Sequence, residues 1–200
     1  MFVSTLPDPS AYAYLLGMYL GDGYLAFTGR SWQLVISLDG AYPGIVNECA
    51  AAIRATLPGT SAHVRTVRGT NTVRVDSGSK RWPELFPQHG PGRKHERPII
   101  LADWQFTIVS TYTEAFVRGL IHSDGCRSIN RFRTKVPSGR IVEYAYPRYF
   151  FTNASADIRM LFCDACDRLG IRWTQSNSRN ISIAYRSSVV LLDRIVGPKT

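Results

Sequence analysis

Residues 15–23 read LLGMYLGDG, and residues 117–125 read VRGLIHSDG. Both stretches close a run of apolar residues at helical spacing, so each predicts a helix that ends in Asp-Gly. The two aspartates, Asp22 and Asp124, lie 102 residues apart, and the same separation relates every matched position of the two stretches. A pattern that recurs at a fixed separation indicates that the chain contains the same structural unit twice.

The sequence around these stretches repeats one order of elements. In each half, the spacing of apolar residues and turn residues predicts helix, strand, strand, helix, strand, strand, helix, and Ser10 is the predicted N-cap of the first helix. We therefore predict an α+β fold with two pseudo-symmetric αββαββα halves and antiparallel sheets. The predicted halves span residues 1–88 and 108–200, and residues 89–107 form the linker.

Two features of the repeated stretch are unfavourable in an isolated helix. Gly17 and Gly119 stand inside their helices, where glycine costs about 1 kcal/mol relative to alanine, so we predict that the helices cross closely there. Asp22 and Asp124 stand at helix C-termini, where the helix dipole disfavours negative charge. A crossing at the glycines would make the two carboxylates neighbours. Mg²⁺, which prefers oxygen ligands, would then offset their repulsion and could support phosphodiester hydrolysis.

The composition indicates a folded and strongly basic protein. Its 200 residues include 24 Lys and Arg against 15 Asp and Glu, which gives a net charge of +9. Such a charge favours polyanionic partners, with nucleic acid ahead of anionic membrane. Because no signal peptide or membrane span is evident, we expect a soluble protein of the cytoplasm, or of the organelle or nucleoid that holds its DNA. No glycine-rich phosphate motif follows a strand, which argues against a P-loop or Rossmann enzyme.

The two stretches resemble the paired motifs of the LAGLIDADG homing endonucleases, in the single-chain form that carries both copies. The resemblance extends over most of the chain. It implies that the motif helices form the interface between the halves, beneath sheets that form a DNA-binding saddle. It also implies that the eighth motif residue, Asp22 or Asp124, binds metal. We expect Gly21 and Ser123 to be further metal ligands.

The resemblance assigns further residues to the site. A polar residue after the second strand would position water, and Asp39 and Asn153 match it. A lysine after the third helix would support the charged intermediate, and Lys94 and Lys199 match it, although an ordinary surface position stays open for Lys94. The sixth motif position, often acidic in the family, is histidine in the second stretch. We expect this residue, His122, to make a packing or phosphate contact.

The activity implied by the resemblance is metal-dependent cleavage of both DNA strands at a long asymmetric target. Cleavage across the minor groove would leave short 3′ overhangs without a covalent intermediate, and the gene would originate in a mobile intron or a similar element. We expect two or more Mg²⁺ ions, with Mn²⁺ able to substitute and Ca²⁺ supporting binding only. The partner would be double-stranded DNA, bound by a monomer with pseudo-twofold symmetry and no membrane contact. Two alternatives stay open: a DNA-binding regulator that does not cut, and an RNA maturase on the same fold.

Basic and amide side chains are concentrated on the predicted hairpins. A two-stranded ribbon fits the major groove, where such side chains distinguish base edges, while others contact phosphates. In the first half the candidates are Arg30, Gln33, Arg65, Arg68, Asn71 and Arg74. In the second half they are Arg127, Asn130, Arg131, Arg133, Lys135, Arg140, Arg148 and Arg179. A solvated strand face is the alternative for each of them. The aromatic residues between positions 144 and 151 are interpreted as core and groove-wall positions, not as a platform for single strands.

Overall fold

A computed structural model describes residues 6–198 and places the repeated elements in the predicted order. The first half contains helix α1 (Pro9–Asp22), strands β1 (Gly23–Phe27) and β2 (Trp32–Asp39), helix α2 (Pro43–Thr56), strands β3 (His63–Thr66) and β4 (Thr72–Ser79), and helix α3 (Trp82–Leu85). A 3₁₀ turn (Lys94–Glu96) and helix α4 (Asp103–Thr111) connect it to the second half. That half contains helix α5 (Thr113–Asp124), strands β5 (Gly125–Lys135) and β6 (Ile141–Thr152), helix α6 (Ala156–Arg168), strands β7 (Thr174–Gln175) and β8 (Asn180–Ile183), and helix α7 (Arg186–Val196).

Each half forms one four-stranded antiparallel sheet, in the order β1-β2-β4-β3 or β5-β6-β8-β7. The register is equivalent as well, since Gly23 pairs with Ile36 and Gly125 pairs with Phe151. The predicted α+β fold with two related halves is confirmed. The halves differ in the ribbon of β5 and β6, which continues beyond the four residues of β6 that pair with β8. The outer part of this ribbon is therefore two-stranded.

One face of each sheet packs on helices, as the alternation of buried residues along the strands shows. In the second sheet, Tyr149 and Phe151 are buried on this face, where the ring of Phe151 stacks on that of Phe162 in α6. In the first sheet, Leu34 and Ile36 occupy the same face. Buried side chains from both halves form one continuous core. The other face of each sheet, which we call the helix-free face, carries the alternate side chains, which point away from this core.

Two predictions about local structure were wrong. The N-cap of α1 is Asp8, whose Oδ1 accepts the N–H of Ala11 at 2.8 Å, and not Ser10. Pro9 is the first helical residue because its fixed φ suits that position, and this leaves the cap to the residue before it. Helix α4 was not predicted, because its sequence follows a segment rich in glycine, proline and charge that indicates a loop. No helix among residues 6–198 is long and apolar enough to cross a membrane.

Candidate active site

Helices α1 and α5 touch through their backbones. A Cβ atom added to Gly119 would lie 2.1 Å from the carbonyl oxygen of Tyr14, and one added to Gly17 would lie 2.6 Å from that of Phe116. Any residue with a side chain at these positions would push the helices apart, because the obstacle on each side is main chain. The unfavourable glycines inside the two helices thus have a physical reason: they let the helices approach to backbone contact.

The crossing brings the C-terminal ends of the two helices together. A Cβ atom on Gly21 would lie 2.2 Å from Oγ of Ser123 and 3.1 Å from Oδ2 of Asp124, so the carboxylate of α5 lies against the main chain of α1. Asp22 follows directly as the last residue of α1. The two carboxylates both act electrostatically on one side chain, that of Lys94. The structure thus brings Asp22, Asp124 and Lys94 into one site.

Asp124 is held in place by Asn153. The side-chain amide of Asn153 donates to Oδ2 of Asp124 at 2.5 Å, while its own Oδ1 accepts the N–H of Ser155 at 2.7 Å. The second bond fixes which end of the amide faces the carboxylate. Burial raises the pKa of Asp124, and the Asn153 hydrogen bond and the charge of Lys94 act in the opposite direction. A buried carboxylate of this kind gains most from a cation beside it.

Lys94 reaches into the site from the segment between the halves. Its ammonium group donates to the carbonyl oxygens of Tyr19, Gly21 and Gly23, at 2.7, 2.7 and 2.9 Å. Carbonyls at the end of a helix lack intrahelical partners, so Lys94 caps α1. Burial lowers the pKa of Lys94 to about 8, while the carboxylates of Asp124 and Asp22 act against this shift. An ordinary surface position, the alternative left open by the sequence, is therefore wrong.

Asp39 and Asn153 have different surroundings, although both are candidates for the same role. Asp39 is the last residue of β2, where its carboxylate accepts the N–H of Ala41 and the side-chain amide of Asn71. The register explains the difference, because the residue equivalent to Asn153 is Leu38, one position earlier. The structure thus places Asn153, but not Asp39, against a carboxylate of the site. Lys199, the other predicted lysine, lies outside the described residues.

The donor atoms at the site fit a hard divalent cation. Asp22 and Asp124 provide carboxylate oxygens, and Gly21 and Ser123 lie in the last helical turns, where main-chain oxygens point outward. The carbonyl of Gly21 also accepts the bond from Lys94. Within residues 6–198, no group of three or more His, Cys, Asp or Glu side chains could hold a metal ion. Two carboxylates suit Mg²⁺, which keeps several waters and commonly takes remaining ligands from substrate phosphates.

A cavity of about 400 Å³ opens beside the carboxylate of Asp124. Its wall includes Asp124, Asn153 and Lys94, together with Arg93 and Arg97 from the segment between the halves. The basic side chains make this opening favourable for an anionic group such as a phosphate.

Comparison with known structures relates the fold to DNA-bound proteins. I-DmoI, solved in complex with DNA and Mn, has a TM-score of 0.60 at 15% sequence identity, covering 96% of this chain and 99% of that chain. The LAGLIDADG meganuclease I-AabMI, bound to uncleaved DNA, has a TM-score of 0.55 at 12% identity, covering 94% and 82%. The chain has the LAGLIDADG fold. No protein-family model and no curated protein sequence matches it.

A further solved structure with a similar fold has a name that does not mention nuclease activity. Full-length DUF199/WhiA from Thermatoga maritima has a TM-score of 0.56 at 13% identity, covering 98% of this chain and 58% of that chain. The LAGLIDADG fold therefore fixes the architecture of this chain, whereas its chemistry has to be judged from its own side chains.

The helix-free face of the first sheet carries hydrogen-bonding side chains. Gln33, Arg65 and Arg74 share this face, because strand pairing aligns them with Asp76 and with one another. The buried carboxylate of Asp76 accepts from Gln33 Nε2 at 2.8 Å and lies 3.3 Å from Nε of Arg65. Asp76 thus orients two predicted DNA-binding side chains, a role that could not be assigned before the strand pairing was known. Three further candidates, Arg30, Arg68 and Asn71, lie in exposed turns.

In the second sheet, the pairing separates the predicted DNA-binding residues between two faces. Asn130 and Arg148 lie on the helix-free face. The assignment of Arg127 to DNA needs correction, because its guanidinium forms two hydrogen bonds with Asp193 of α7, at 2.7 and 3.0 Å. Arg127 lies on the helix-packed face by the alternation of the strand. The other candidates on the same side of the ribbon are Arg131, Arg133 and Lys135, and those in exposed turns are Arg140 and Arg179.

A polar network that the sequence did not reveal ties α5 to both halves. His122 is buried, with Nδ1 3.0 Å from the hydroxyl of Tyr14 and Nε2 3.2 Å from the carbonyl of Val196. Arg118 forms two hydrogen bonds with Glu48 of α2, at 2.6 and 2.8 Å, and also donates to the last carbonyls of α7. His122 is thus a packing residue, as one of the two predicted roles stated.

We expect Arg118→Met to destabilise the protein by about 1–3 kcal/mol, because it leaves Glu48 and the carbonyls of α7 without their charged donor. The effect would be measured by urea denaturation. Arg54→Met is the matched control, since Arg54 is an exposed residue in the last turn of α2. Equal stability of the two variants would contradict a structural role for the network.

Proposed function

We propose that this protein is a site-specific, Mg²⁺-dependent endonuclease that cuts both strands of double-stranded DNA. The observation that carries the proposal is the meeting of Asp22, Asp124 and Lys94 where the two helices end. The site has the donor set for divalent cations and lies beside a cavity with basic side chains. Two structural neighbours support the same chemistry, since I-DmoI was solved with DNA and Mn and I-AabMI with uncleaved DNA.

Each residue of the site has a distinct task in this proposal. Asp22 and Asp124 bind the cations, which when bound would activate water and stabilise the leaving oxygen of the phosphodiester. Asn153 holds the carboxylate of Asp124 in one orientation through its amide. Lys94 supplies a positive charge near the scissile phosphate while capping α1. The helix-free faces of the two sheets bind the two halves of an asymmetric target, because their side chains differ.

The protein is expected to act as a monomer, because the two pseudo-symmetric halves supply one aspartate each to the shared site. The same reasoning assigns residues 1–88 and 108–200 to the two halves of the target. Mn²⁺ is expected to replace Mg²⁺ in cleavage, whereas Ca²⁺ is expected to support binding alone. The resemblance of the sequence motifs further suggests that the gene belongs to a mobile intron or a similar element.

The decisive experiment is a cleavage selection from a randomised duplex library. The purified protein is incubated with the library in Mg²⁺, and in parallel in Ca²⁺, and both cut and bound fragments are sequenced. We expect cut fragments with a common, asymmetric sequence and short 3′ overhangs in Mg²⁺, and the same sequence among the bound fragments in Ca²⁺. A sequence enriched by binding but never cut would favour the alternative of a DNA-binding regulator. If no DNA sequence were enriched by cutting or by binding, the proposal would be refuted.

Lys94→Met should reduce the cleavage rate about 10²-fold, the effect of removing one preorganised donor from a site where charge develops. Single-turnover cleavage of the selected target in Mg²⁺ would measure this. Lys80→Met provides the control, because Lys80 is an exposed lysine outside the site. Thermal unfolding of both variants separates a loss of chemistry from a loss of the α1 cap. Unchanged cleavage by Lys94→Met would remove this residue from the mechanism.

A further inference from the structure

The helix-free face of the β5–β6 ribbon is aromatic in its outer part. Phe132 and Tyr144 face each other across the two strands and are 44% and 43% exposed. Their rings stack at 5.2 Å with an angle of 18°, and Tyr146 packs edge-on against Phe132 at 6.0 Å. The side-chain amide of Asn130 donates to the hydroxyl of Tyr146 at 2.7 Å, which further orders the group. We call Phe132, Tyr144 and Tyr146 the aromatic plate.

The charges of the outer ribbon lie on the opposite face. Glu143 pairs with Arg133 at 3.0 Å and with Arg131 at 3.8 Å, and all three alternate with the residues of the aromatic plate. On the side of the plate, Arg148 is turned toward the sheet, where it donates to Ser182 and covers the ring of Phe150 at 4.6 Å. The aromatic plate therefore stays exposed on one face of a two-stranded, basic ribbon, and such a ribbon fits the width of the major groove.

The corresponding face of the first sheet has the opposite character. Gln33, Arg65 and Arg74 supply hydrogen-bond donors there, and Asp76 orients two of them. Donors of this kind match the N7, O6 and O4 acceptors of base edges in the major groove. An aromatic plate cannot make such bonds with its ring faces. The two halves therefore offer chemically different surfaces to the same duplex.

We infer that the aromatic plate recognises the 5-methyl groups of thymine in the major groove, so that the half-site under the second half is selected for T·A pairs. The inference rests on the proposed binding of double-stranded DNA. The thymine methyl is the apolar group that a base pair presents in the major groove, and an exposed aromatic ring is a fitting contact for it. Burial of one methyl group strengthens binding about three- to fivefold.

The test combines a protein variant with a DNA analogue that lacks the methyl group. Thymines of the selected target are replaced by uracil in one half-site at a time, and affinity is measured in Ca²⁺ for the wild type and for the double variant Phe132→Ser/Tyr144→Ser. Uracil keeps the base pair and all hydrogen-bonding groups. We expect uracil in the half-site under the second half of the protein to weaken wild-type binding about three- to fivefold per contacted position. The same substitution should not weaken binding of the variant.

Two results would overturn the inference. One is a selected target without thymine enrichment in either half, and the other is a uracil effect that is the same in wild type and variant. Either would leave the plate as a cross-strand pair that stabilises the ribbon. Thermal unfolding of the variant checks that the exposed substitutions leave the fold intact. Because the target comes from the binding selection, failure to obtain any target rejects the proposed function, whereas a bound target without a methyl effect rejects this inference alone.

Discussion

We expect Asp124→Asn to reduce the rate of double-strand cleavage in Mg²⁺ by about 10³-fold or more. DNA binding in Ca²⁺ should stay intact. Asparagine has the shape of aspartate but lacks its charge and one ligand oxygen, so the cation loses its anchor in α5. The carbonyl oxygen of the new side chain can still accept from Asn153, which keeps the local structure. Asp22→Asn should behave in the same way through α1.

Thermal unfolding distinguishes this loss of cleavage from damage to the fold. Burial raises the pKa of Asp124 in the folded protein, so its charged form is disfavoured there relative to the unfolded chain. Stability from this group therefore increases as the pH falls through the raised pKa, and a neutral isostere resembles the protonated state. Without divalent ions, Asp124→Asn should unfold at the same temperature as the wild type or higher. A clear drop in that temperature would contradict our description of the carboxylate.

Asp164→Asn is a suitable control for both cleavage and stability. Asp164 is an exposed residue of α6 and lies outside the site. We expect it to cut and unfold like the wild type. If Asp22→Asn and Asp124→Asn both cut at the rate of this control, the assignment of the metal ligands is wrong.

The second large effect concerns the helix crossing. Gly119→Ala should destabilise the protein by about 3 kcal/mol or more, which corresponds to a fall of about 6–12 °C in Tm. Alanine favours a helix over glycine by about 1 kcal/mol. Here its Cβ would lie 2.1 Å from the carbonyl oxygen of Tyr14, and main chain cannot move aside as a flexible side chain can. Cleavage should be lost as well, because separating the helices separates the two carboxylates.

Gly78→Ala tests whether the location of the glycine matters. An added Cβ at Gly78 meets nothing closer than Oγ of Ser31 at 3.9 Å, and Gly78 is not among the residues with positive φ. We expect this variant to be as stable as the wild type or slightly more so, in urea and in heat. Similar losses for Gly78→Ala and Gly119→Ala would mean that the crossing is not the sensitive point.

The sequence predicted those parts of the fold that depend on local patterns. The repeated stretches, the apolar periodicity and the turns were sufficient for the order of elements, because each signal lies within a few residues of its effect. Helix α4 was not predicted, because the sequence just before it resembles a loop. The N-cap was misplaced by two residues, because both Asp8 and Ser10 are good capping residues.

The site was predictable where it follows from symmetry and unpredictable where it depends on distant contacts. Asp22 and Asp124 could be placed together because the crossing glycines fix the relation of their helices. The bonds from Lys94 to two carbonyls of α1 and to that of Gly23, and those from Arg118 to Glu48, join residues about seventy positions apart. The face on which Arg127 lies depends on strand register, which was not known from the sequence.

The backbone contact between α1 and α5 has a consequence for how such a protein can diversify. The gap between its two acidic groups is set by the thickness of two polypeptide backbones, which no substitution elsewhere on the strands can alter. In the proposed endonuclease, residues on the helix-free faces of the sheets can therefore vary, and target preference with them, while the stagger between the two nicks stays constant. Recognition and scission would then be separable traits, as long as Gly17 and Gly119 remain glycine.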